Sequence, residues 1–176
     1  EGANRPAPGL TVHAGRGTTW VGALNPAGNP LVERVAQQLA SSGLMVHPEH
    51  DILARLWQKL VINAGINAFT AILDCPNGEI LTQPFYLQWI APLCEEISRL
   101  LPAAGQPQQA PENLRETIEA VARKTAANTS SMRADVKAGR TTEIDFINGY
   151  LARLGHQHGI PVQVNQMLAE QVQQLN

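Results

Sequence analysis

The stretch that decides the fold covers residues 52–73 and reads ILARLWQKLVINAGINAFTAIL. It is long, apolar and free of proline, which is typical of a helix that is buried on most of its sides. Asp51 is a suitable N-cap before it, and the helix-breaking sequence DCPNG at residues 74–78 follows it. The stretch therefore predicts a long buried helix and places the chain in the mainly α class.

Three polar side chains interrupt this apolar helix. Lys59, Asn63 and Asn67 recur every four residues, which places them along one side of the helix, about one turn apart. The amides could hydrogen-bond hydroxyl and carbonyl groups, and a partly desolvated lysine could donate a proton. The spacing leaves a substrate-facing stripe and an exposed polar face about equally open. Trp57 and the absence of other charges between Lys59 and Asp74 slightly favour a cleft.

Helical periodicity continues from here to the end of the chain. The sequence Thr142-Glu143-Ile144-Asp145 has the form of a capping box and predicts the start of another long helix, which ends at Gly159. The other predicted helices cover residues 85–101, 112–127, 132–137 and 164–175.

A second group of polar residues lies in this helical part. Ser130 and Ser131 precede a short predicted helix, where hydroxyls and backbone N–H groups can receive a carboxylate. Glu143 opens the next predicted helix, where the helix dipole favours an anion. On the pattern alone, ordinary helix capping is the favoured interpretation of these residues.

Residues 1–50 have a different, α/β character. Strands are predicted over residues 10–14 and 18–22, joined into a hairpin by Gly15-Arg16-Gly17. A helix over residues 31–39 and a third strand over residues 44–46 follow. Three short strands and one helix cannot form a stable layer alone. Residues 1–50 are therefore interpreted as the tail of a larger domain.

Composition excludes several classes of function. The chain is 44 % hydrophobic and 16 % charged, which is typical of a globular protein. A net charge of −2 gives no footprint for nucleic acid or for an anionic membrane. Cys75 and Cys94 are far apart and have no histidine at ligand spacing. They are expected to be reduced, partly buried thiols of a cytoplasmic protein, and no metal site is expected.

Two signatures carry a resemblance to a known family. The sequence LWQKLVINAGIN at residues 56–67, with the TA and PNG sequences that follow it, resembles a signature of the ketopantoate reductases (2-dehydropantoate 2-reductases). The sequence SSM-x-x-D at residues 130–135, with TEIDFING at residues 142–149, resembles the family's second signature. Their order and separation make the resemblance specific, and it covers nearly the whole chain.

The resemblance implies a division into two domains. Residues 51–176 are expected to form the helical substrate-binding and catalytic domain, which is similar to that of 6-phosphogluconate dehydrogenase. Residues 1–50 are expected to be a small α/β remnant of a Rossmann-type dinucleotide-binding domain. The chain starts with Glu1, without an initiator Met, and is expected to be a truncated piece of a longer protein.

The resemblance also implies catalytic roles. Lys59 is expected to be the general acid that protonates the ketone oxygen as hydride arrives. Glu143 is expected to lie near this lysine and near the nicotinamide ribose of the cofactor, where its carboxylate would stabilise the ammonium form. The residues expected to hold the substrate are Asn63, Asn67 and Asn77, for hydroxyl and carbonyl oxygens, and Ser131, for the carboxylate.

The reaction implied is the reduction of 2-dehydropantoate to (R)-pantoate with NADPH, in pantothenate and coenzyme A biosynthesis. The G-x-G-x-x-G sequence that seats a dinucleotide is absent, because Gly15-x-Gly17 is followed by Trp20 where a third glycine is required. NADPH is therefore expected to be bound mostly by a missing domain, and this chain alone is expected to be inactive. The expected partner is a small-molecule keto acid, with neither nucleic acid nor membrane.

Two alternatives stay open. The first is a related reductase that acts on another branched 2-keto acid through the same proton donor. The second is a non-catalytic helical module for self-association, because apolar surface left without its partner domain could pair two chains into a homodimer.

Overall fold

The computed structural model describes residues 2–175. The chain divides into two compact units, Glu1–Leu56 and Trp57–Asn176. This division lies inside a helix, a few residues after the boundary that was predicted between residues 50 and 51. The chain is mainly α, as the sequence predicted, with the strands confined to the first unit.

In the part that the structure describes, the first unit contains four strands, one 3-10 turn, one complete α-helix and the start of a second. β1 and β2 form an antiparallel pair, and β3 and β4 form a parallel pair connected through helix α1. Val32 and Ala36 of this helix are buried. The elements are β1 (Gly2–Ala7), β2 (Leu10–Gly15), β3 (Thr18–Val21), α1 (Asn29–Ala40) and β4 (Met45–Pro48).

The predicted hairpin between residues 10–14 and 18–22 is wrong. β2 pairs with the preceding strand, and the turn between the two is Pro8-Gly9. Gly9 has a φ of 77°, and a positive φ at the second central position of a turn favours glycine after proline. β3 pairs with β4 because the helix between them returns the chain in the same direction. Gly15 is therefore the last residue of β2, where it pairs with Gly2, and Gly17 lies between β2 and β3.

The second unit is helical, and most of its predicted helices are confirmed within a few residues. One helix begins in the first unit, where Asp51 caps it by accepting a hydrogen bond from the backbone of Ala54 at 3.0 Å. The helices are α2 (Ile52–Ile72), α3 (Pro84–Ala103), α4 (Pro111–Lys124), α5 (Ser131–Lys137), α6 (Asn148–His158) and α7 (Gln163–Gln173).

Helix α2 lies at the centre of the helical unit. Every residue from 64 to 71 is buried, as expected for a helix that is apolar on nearly all sides. Phe69 packs edge-on against Tyr86 of α3, with ring centroids 4.9 Å apart. Gly65 touches α4 closely, since a Cβ there would lie 2.7 Å from side-chain atoms of Ile118. The side chains of α2 are therefore held on several sides.

The fourth long helix does not begin at residues 142–145 as predicted. Ile144–Phe146 is a single 3-10 turn, and the Glu143 side chain makes no capping hydrogen bond. Ile147 then leaves helical geometry with φ −109° and ψ −96°, so α6 begins only at Asn148. Ile144 and Ile147 are both buried. Burial of these two side chains outweighs the local capping preference.

Both cysteines are buried free thiols, as predicted from their spacing. Burial raises the pKa of Cys94 to about 12. Burial also raises the pKa of Cys75, with a further contribution from the negative charge of Glu79. In the described part of the chain, no helix combines the length and the hydropathy needed to cross a bilayer.

Candidate active site

The polar stripe on α2 runs from solvent into the interior of the helical unit. Lys59 is exposed, Asn63 is half-buried and Asn67 is 9 % exposed. Thr70 lies on the same side, three residues after Asn67, and is fully buried. The stripe is therefore not exposed along its whole length, as the alternative of a polar face would require. Lys59, for which the sequence left partial desolvation open, is exposed because it precedes the enclosed part of α2.

The stripe carries polar groups that the protein itself does not use. Within residues 2–175, the side chains of Lys59, Asn63 and Asn67 take part in no hydrogen bond or ion pair. The Asn67 amide is not one of the fully enclosed side-chain groups without a partner, so its polar atoms still reach the surface. These groups are therefore available to a ligand.

The buried end of the stripe is joined to the start of α5 by two hydroxyls. The Oγ1 of Thr70 lies 2.7 Å from the Oγ of Ser130. Ser130 is the N-cap of α5 and accepts from the backbone N–H of Arg133 at 3.1 Å. The capping interpretation is confirmed for Ser130. Ser131 is exposed at the first position of α5, next to this joint.

An ion-pair cluster joins the same two elements near the surface. Asp74, which follows α2, lies 2.9 Å from Arg133 and 3.0 Å from Lys137 of α5. The Arg133 guanidinium and then the Lys137 ammonium hold the pKa of Asp74 below its ordinary value. Asp74 adopts a left-handed conformation with φ 46°, which is unusual outside glycine and asparagine. The end of α2 and the start of α5 are therefore tied both in the core and at the surface.

Asn77 lies in the loop after α2 and is also buried. Its Nδ2 donates to the Oγ1 of Thr125 at 3.0 Å, and its backbone N–H donates to the carbonyl of Asn128 at 3.0 Å. Its Oδ1 is enclosed and has no hydrogen-bond partner among the described residues. The protein thus holds the Asn77 side chain through its Nδ2, and the Oδ1 is left as an acceptor without a partner in the described part of the chain.

A second polar network touches the middle of α2 from α6 and α7. The Nδ2 of Asn148 donates to the carbonyl of Ala64 at 3.3 Å and to the Oδ1 of Asn165 at 3.2 Å. The Nδ2 of Asn165 donates to the Glu96 carboxylate at 2.8 Å. That carboxylate also accepts the backbone N–H groups of Val164 and Asn165, at the start of α7.

The sequence reasoning missed this network, although one signal was present. Glu96 lies in α3 among Leu93, Ile97 and Leu100, which are all fully buried. A lone carboxylate at the apolar positions of a helix indicates a buried acceptor that needs several donors. Its donors, however, lie nearly seventy residues away and cannot be identified from local spacing.

Glu143 is exposed on the turn between α5 and α6, and its carboxylate has no partner among the described residues. The start of α2 meets α6 through Trp57 and Tyr150, whose ring centroids lie 6.0 Å apart. The described contacts therefore bring α2 close to the segment that follows Glu143 and to the segment that contains Ser131. None of these contacts joins Lys59 directly to either residue.

The fold and these residues define a helical domain with unpaired polar side chains along its central helix. Residues 51–176 match the family model described as "Ketopantoate reductase PanE/ApbA C terminal". The chain belongs to this family, which confirms the family that the two signatures indicated.

Known relatives agree with this assignment. The 2-dehydropantoate 2-reductase of Archaeoglobus fulgidus is 35 % identical over 167 residues, which are 95 % of this chain and 55 % of the relative. That of Shigella flexneri is 45 % identical over 123 residues, which are 70 % of this chain and 39 % of the relative. A PanE/ApbA family ketopantoate reductase from Ralstonia eutropha superposes with a TM-score of 0.86 at 26 % identity, over 99 % of this chain and 56 % of the other. The chain spans about half the length of the relatives it matches.

Proposed function

We propose that the protein carrying this chain reduces 2-dehydropantoate to (R)-pantoate with NADPH, as a step in pantothenate and coenzyme A biosynthesis. The observation that carries the proposal is the stripe on α2, where Asn67 is nine-tenths buried and its amide has no partner among the described residues. A small polar ligand that reaches along α2 would satisfy it. The names of the relatives support a keto acid as this ligand.

The substrate oxygens would be held at three places. Asn63 and Asn67 offer amides at successive turns of α2, suited to the hydroxyl and carbonyl groups of a branched keto acid. Asn77 offers an enclosed Oδ1 without a partner among the described residues, which would accept a hydrogen bond from the substrate hydroxyl. Ser131 offers an exposed hydroxyl to the substrate carboxylate.

Lys59 would supply the proton. NADPH, when bound, would supply hydride for C2 of the keto acid, and the ketone oxygen would then need a proton donor within hydrogen-bond reach. Lys59 lies one turn before Asn63 on the same side of α2 and has no ion-pair partner among the described residues. Its ammonium is therefore available to donate to the ketone oxygen.

Glu143 is the residue of this chain proposed to contact the cofactor. Its exposed, unpaired carboxylate suits the hydroxyls of a ribose, and a carboxylate close to Lys59 would keep that lysine protonated. The phosphates of NADPH are proposed to be held by residues outside this chain, since Gly15-x-Gly17 lacks the third glycine of a dinucleotide turn.

The first experiment is a substrate panel. The complete protein is incubated with NADPH and with 2-dehydropantoate or other branched 2-keto acids, and oxidation of NADPH is followed by absorbance. We expect the highest kcat/KM for 2-dehydropantoate. A higher value for another keto acid would replace the substrate and keep the mechanism, whereas no turnover of any keto acid would reject the function.

The second experiment replaces the proton donor. Lys59→Ala in the complete protein is expected to lower kcat by about 10²–10⁴-fold with a modest change in KM, as for loss of a general acid. Lys124→Ala is the matched control, because Lys124 is an exposed lysine of α4 that also has no partner among the described residues. Unchanged turnover in the Lys59 variant would reject Lys59 as the proton donor, whereas a parent without turnover would favour a module for self-association.

A further inference from the structure

The two hydroxyls that join α2 to α5 form a chain with a defined direction. Thr70 has one hydroxyl proton, and it goes to the backbone carbonyl of Asn67 at 2.9 Å. Ser130 must then donate its proton to Thr70 across the 2.7 Å contact, while it accepts from the N–H of Arg133. Each hydroxyl therefore donates once and accepts once.

We call this chain of hydrogen bonds through Thr70 and Ser130 the relay. The relay is enclosed, unlike the ion pairs beside it. Thr70 is fully buried and Ser130 is 6 % exposed, whereas the Asp74 side chain in the nearby cluster is 64 % exposed. Hydrogen bonds shielded from water hold a narrower geometry than ion pairs in solvent, which are screened and adaptable. The buried relay is thus the more exact link between the two elements.

The relay connects two residues to which the proposed function assigns substrate contacts. Its acceptor end is the backbone of Asn67, one turn before Thr70 on α2. Its donor end is Ser130, the residue before Ser131. A shift at the joint would change the separation between the Asn67 amide and the Ser131 hydroxyl, which are assigned to opposite ends of the keto acid.

We propose that Thr70 and Ser130 are positioning residues that set this separation and thereby the affinity for the keto acid. This inference rests on the proposed function of the site. The relay does not include Lys59, which lies three turns earlier on α2. Loss of the relay should therefore weaken substrate binding much more than the proton-transfer step.

The test uses Thr70→Val in the complete protein, which keeps the shape of the side chain and removes the hydroxyl. We expect KM for the keto acid to rise about tenfold, with kcat within about twofold of the parent. Thr70→Ser restores a hydroxyl and should bring KM back towards the parent value. Ser130→Ala breaks the relay from its other end and should give the same selective rise in KM.

Thr117→Val is the matched control. Thr117 also donates its hydroxyl to a backbone carbonyl of its own helix, that of Asn113 at 2.8 Å, but it is exposed on α4. We expect this variant to keep both kinetic constants. Circular dichroism and thermal melting of every variant separate misfolding from a change in the site.

The outcomes separate the two proposals. An active parent whose Thr70→Val variant melts earlier but keeps its KM would show a structural role alone and overturn the positioning role. Unfolding of both Thr70→Val and Ser130→Ala would have the same consequence. A parent that turns over no keto acid rejects the proposed function and the positioning role with it.

Discussion

Two sets of polar groups lie at the middle of α2, and they differ in whether they hydrogen-bond to the protein. Glu96, Asn165 and Asn148 bond to one another, to the start of α7 and to the carbonyl of Ala64. Asn63 and Asn67 lie on the same helix without a partner among the described residues.

The difference distinguishes side chains that stabilise the fold from side chains that are available to a ligand. A buried carboxylate with three donors stabilises the packing of α3 against α7, because its donors would otherwise lose their partners. The amides of Asn63 and Asn67 gain no hydrogen bond to another described residue on folding, which leaves them available to a ligand. Burial without a partner does not by itself mark a functional residue, since the Tyr86 hydroxyl and the Asn148 Oδ1 are also enclosed without a partner among the described residues.

The largest expected effect is on stability and comes from the hydrogen-bond network around Glu96. Glu96→Ala leaves two backbone N–H groups of α7 and the Asn165 amide without an acceptor, and should lower the free energy of unfolding by about 3 kcal/mol. Chemical denaturation of the complete protein measures it. Glu95→Ala is the control on the neighbouring position, where an exposed pair with Arg99 at 3.2 Å is expected to be worth about 0.5 kcal/mol. Equal losses in the two variants would remove the distinction.

The opposite result is expected at the unpaired amides. Asn63→Ala should raise KM for the keto acid about tenfold, equivalent to about 1.4 kcal/mol, and leave the free energy of unfolding within about 0.5 kcal/mol. Asn148→Ala removes the two hydrogen bonds that the Asn148 Nδ2 donates and should destabilise the fold by about 1–2 kcal/mol. Steady-state kinetics and denaturation on both variants decide the matter. A stable Asn148 variant together with an unstable Asn63 variant would reverse the assignment.

The smallest effect concerns pH and the buried thiol of α3. Burial raises the pKa of Cys94 to about 12, whereas an unfolded thiol titrates near about 8.5. Above about pH 8.5 the unfolded state releases this thiol proton, whereas the folded state keeps it. The thiol therefore leaves the free energy of unfolding unchanged below that pH and lowers it as the pH rises further. Between about pH 8 and about pH 9.5 the loss from this thiol should be about 1 kcal/mol.

Denaturation curves at several pH values measure this loss, and Cys94→Ala should make the decline shallower than in the parent. The cavity left by the substitution lowers stability at every pH and does not affect the slope. A decline of equal steepness in parent and variant would mean that Cys94 titrates normally.

Local patterns in the sequence predicted the helices and much of the stripe. The apolar run with its Asp51 cap and the breaker at residues 74–78 fixes α2 because each of these signals acts within a few residues. The spacing of Lys59, Asn63 and Asn67 likewise requires only helical geometry. Their assignment to a keto acid came from the resemblance, and their roles stay a prediction.

Long-range pairing could not be predicted in this way. Thr70 meets Ser130 across 60 positions, and Asn148 meets Ala64 across 84. The helix predicted to open at Thr142 begins only at Asn148, because two isoleucines before it are buried in the core, which local preference does not report. The hairpin was misplaced because Gly-Arg-Gly at residues 15–17 was interpreted as its turn, whereas the turn is formed by Pro-Gly at residues 8 and 9.

The position of the division within α2 matters for anyone who wishes to exchange domains between reductases. A chimera joined between Leu56 and Trp57 would cut α2 after its first turn and replace the cap that Asp51 provides. A junction just before Asp51 keeps the helix, its cap and the whole family segment of residues 51–176 together. The best junction for exchanging the helical part is therefore set by a helix start rather than by the boundary between compact units.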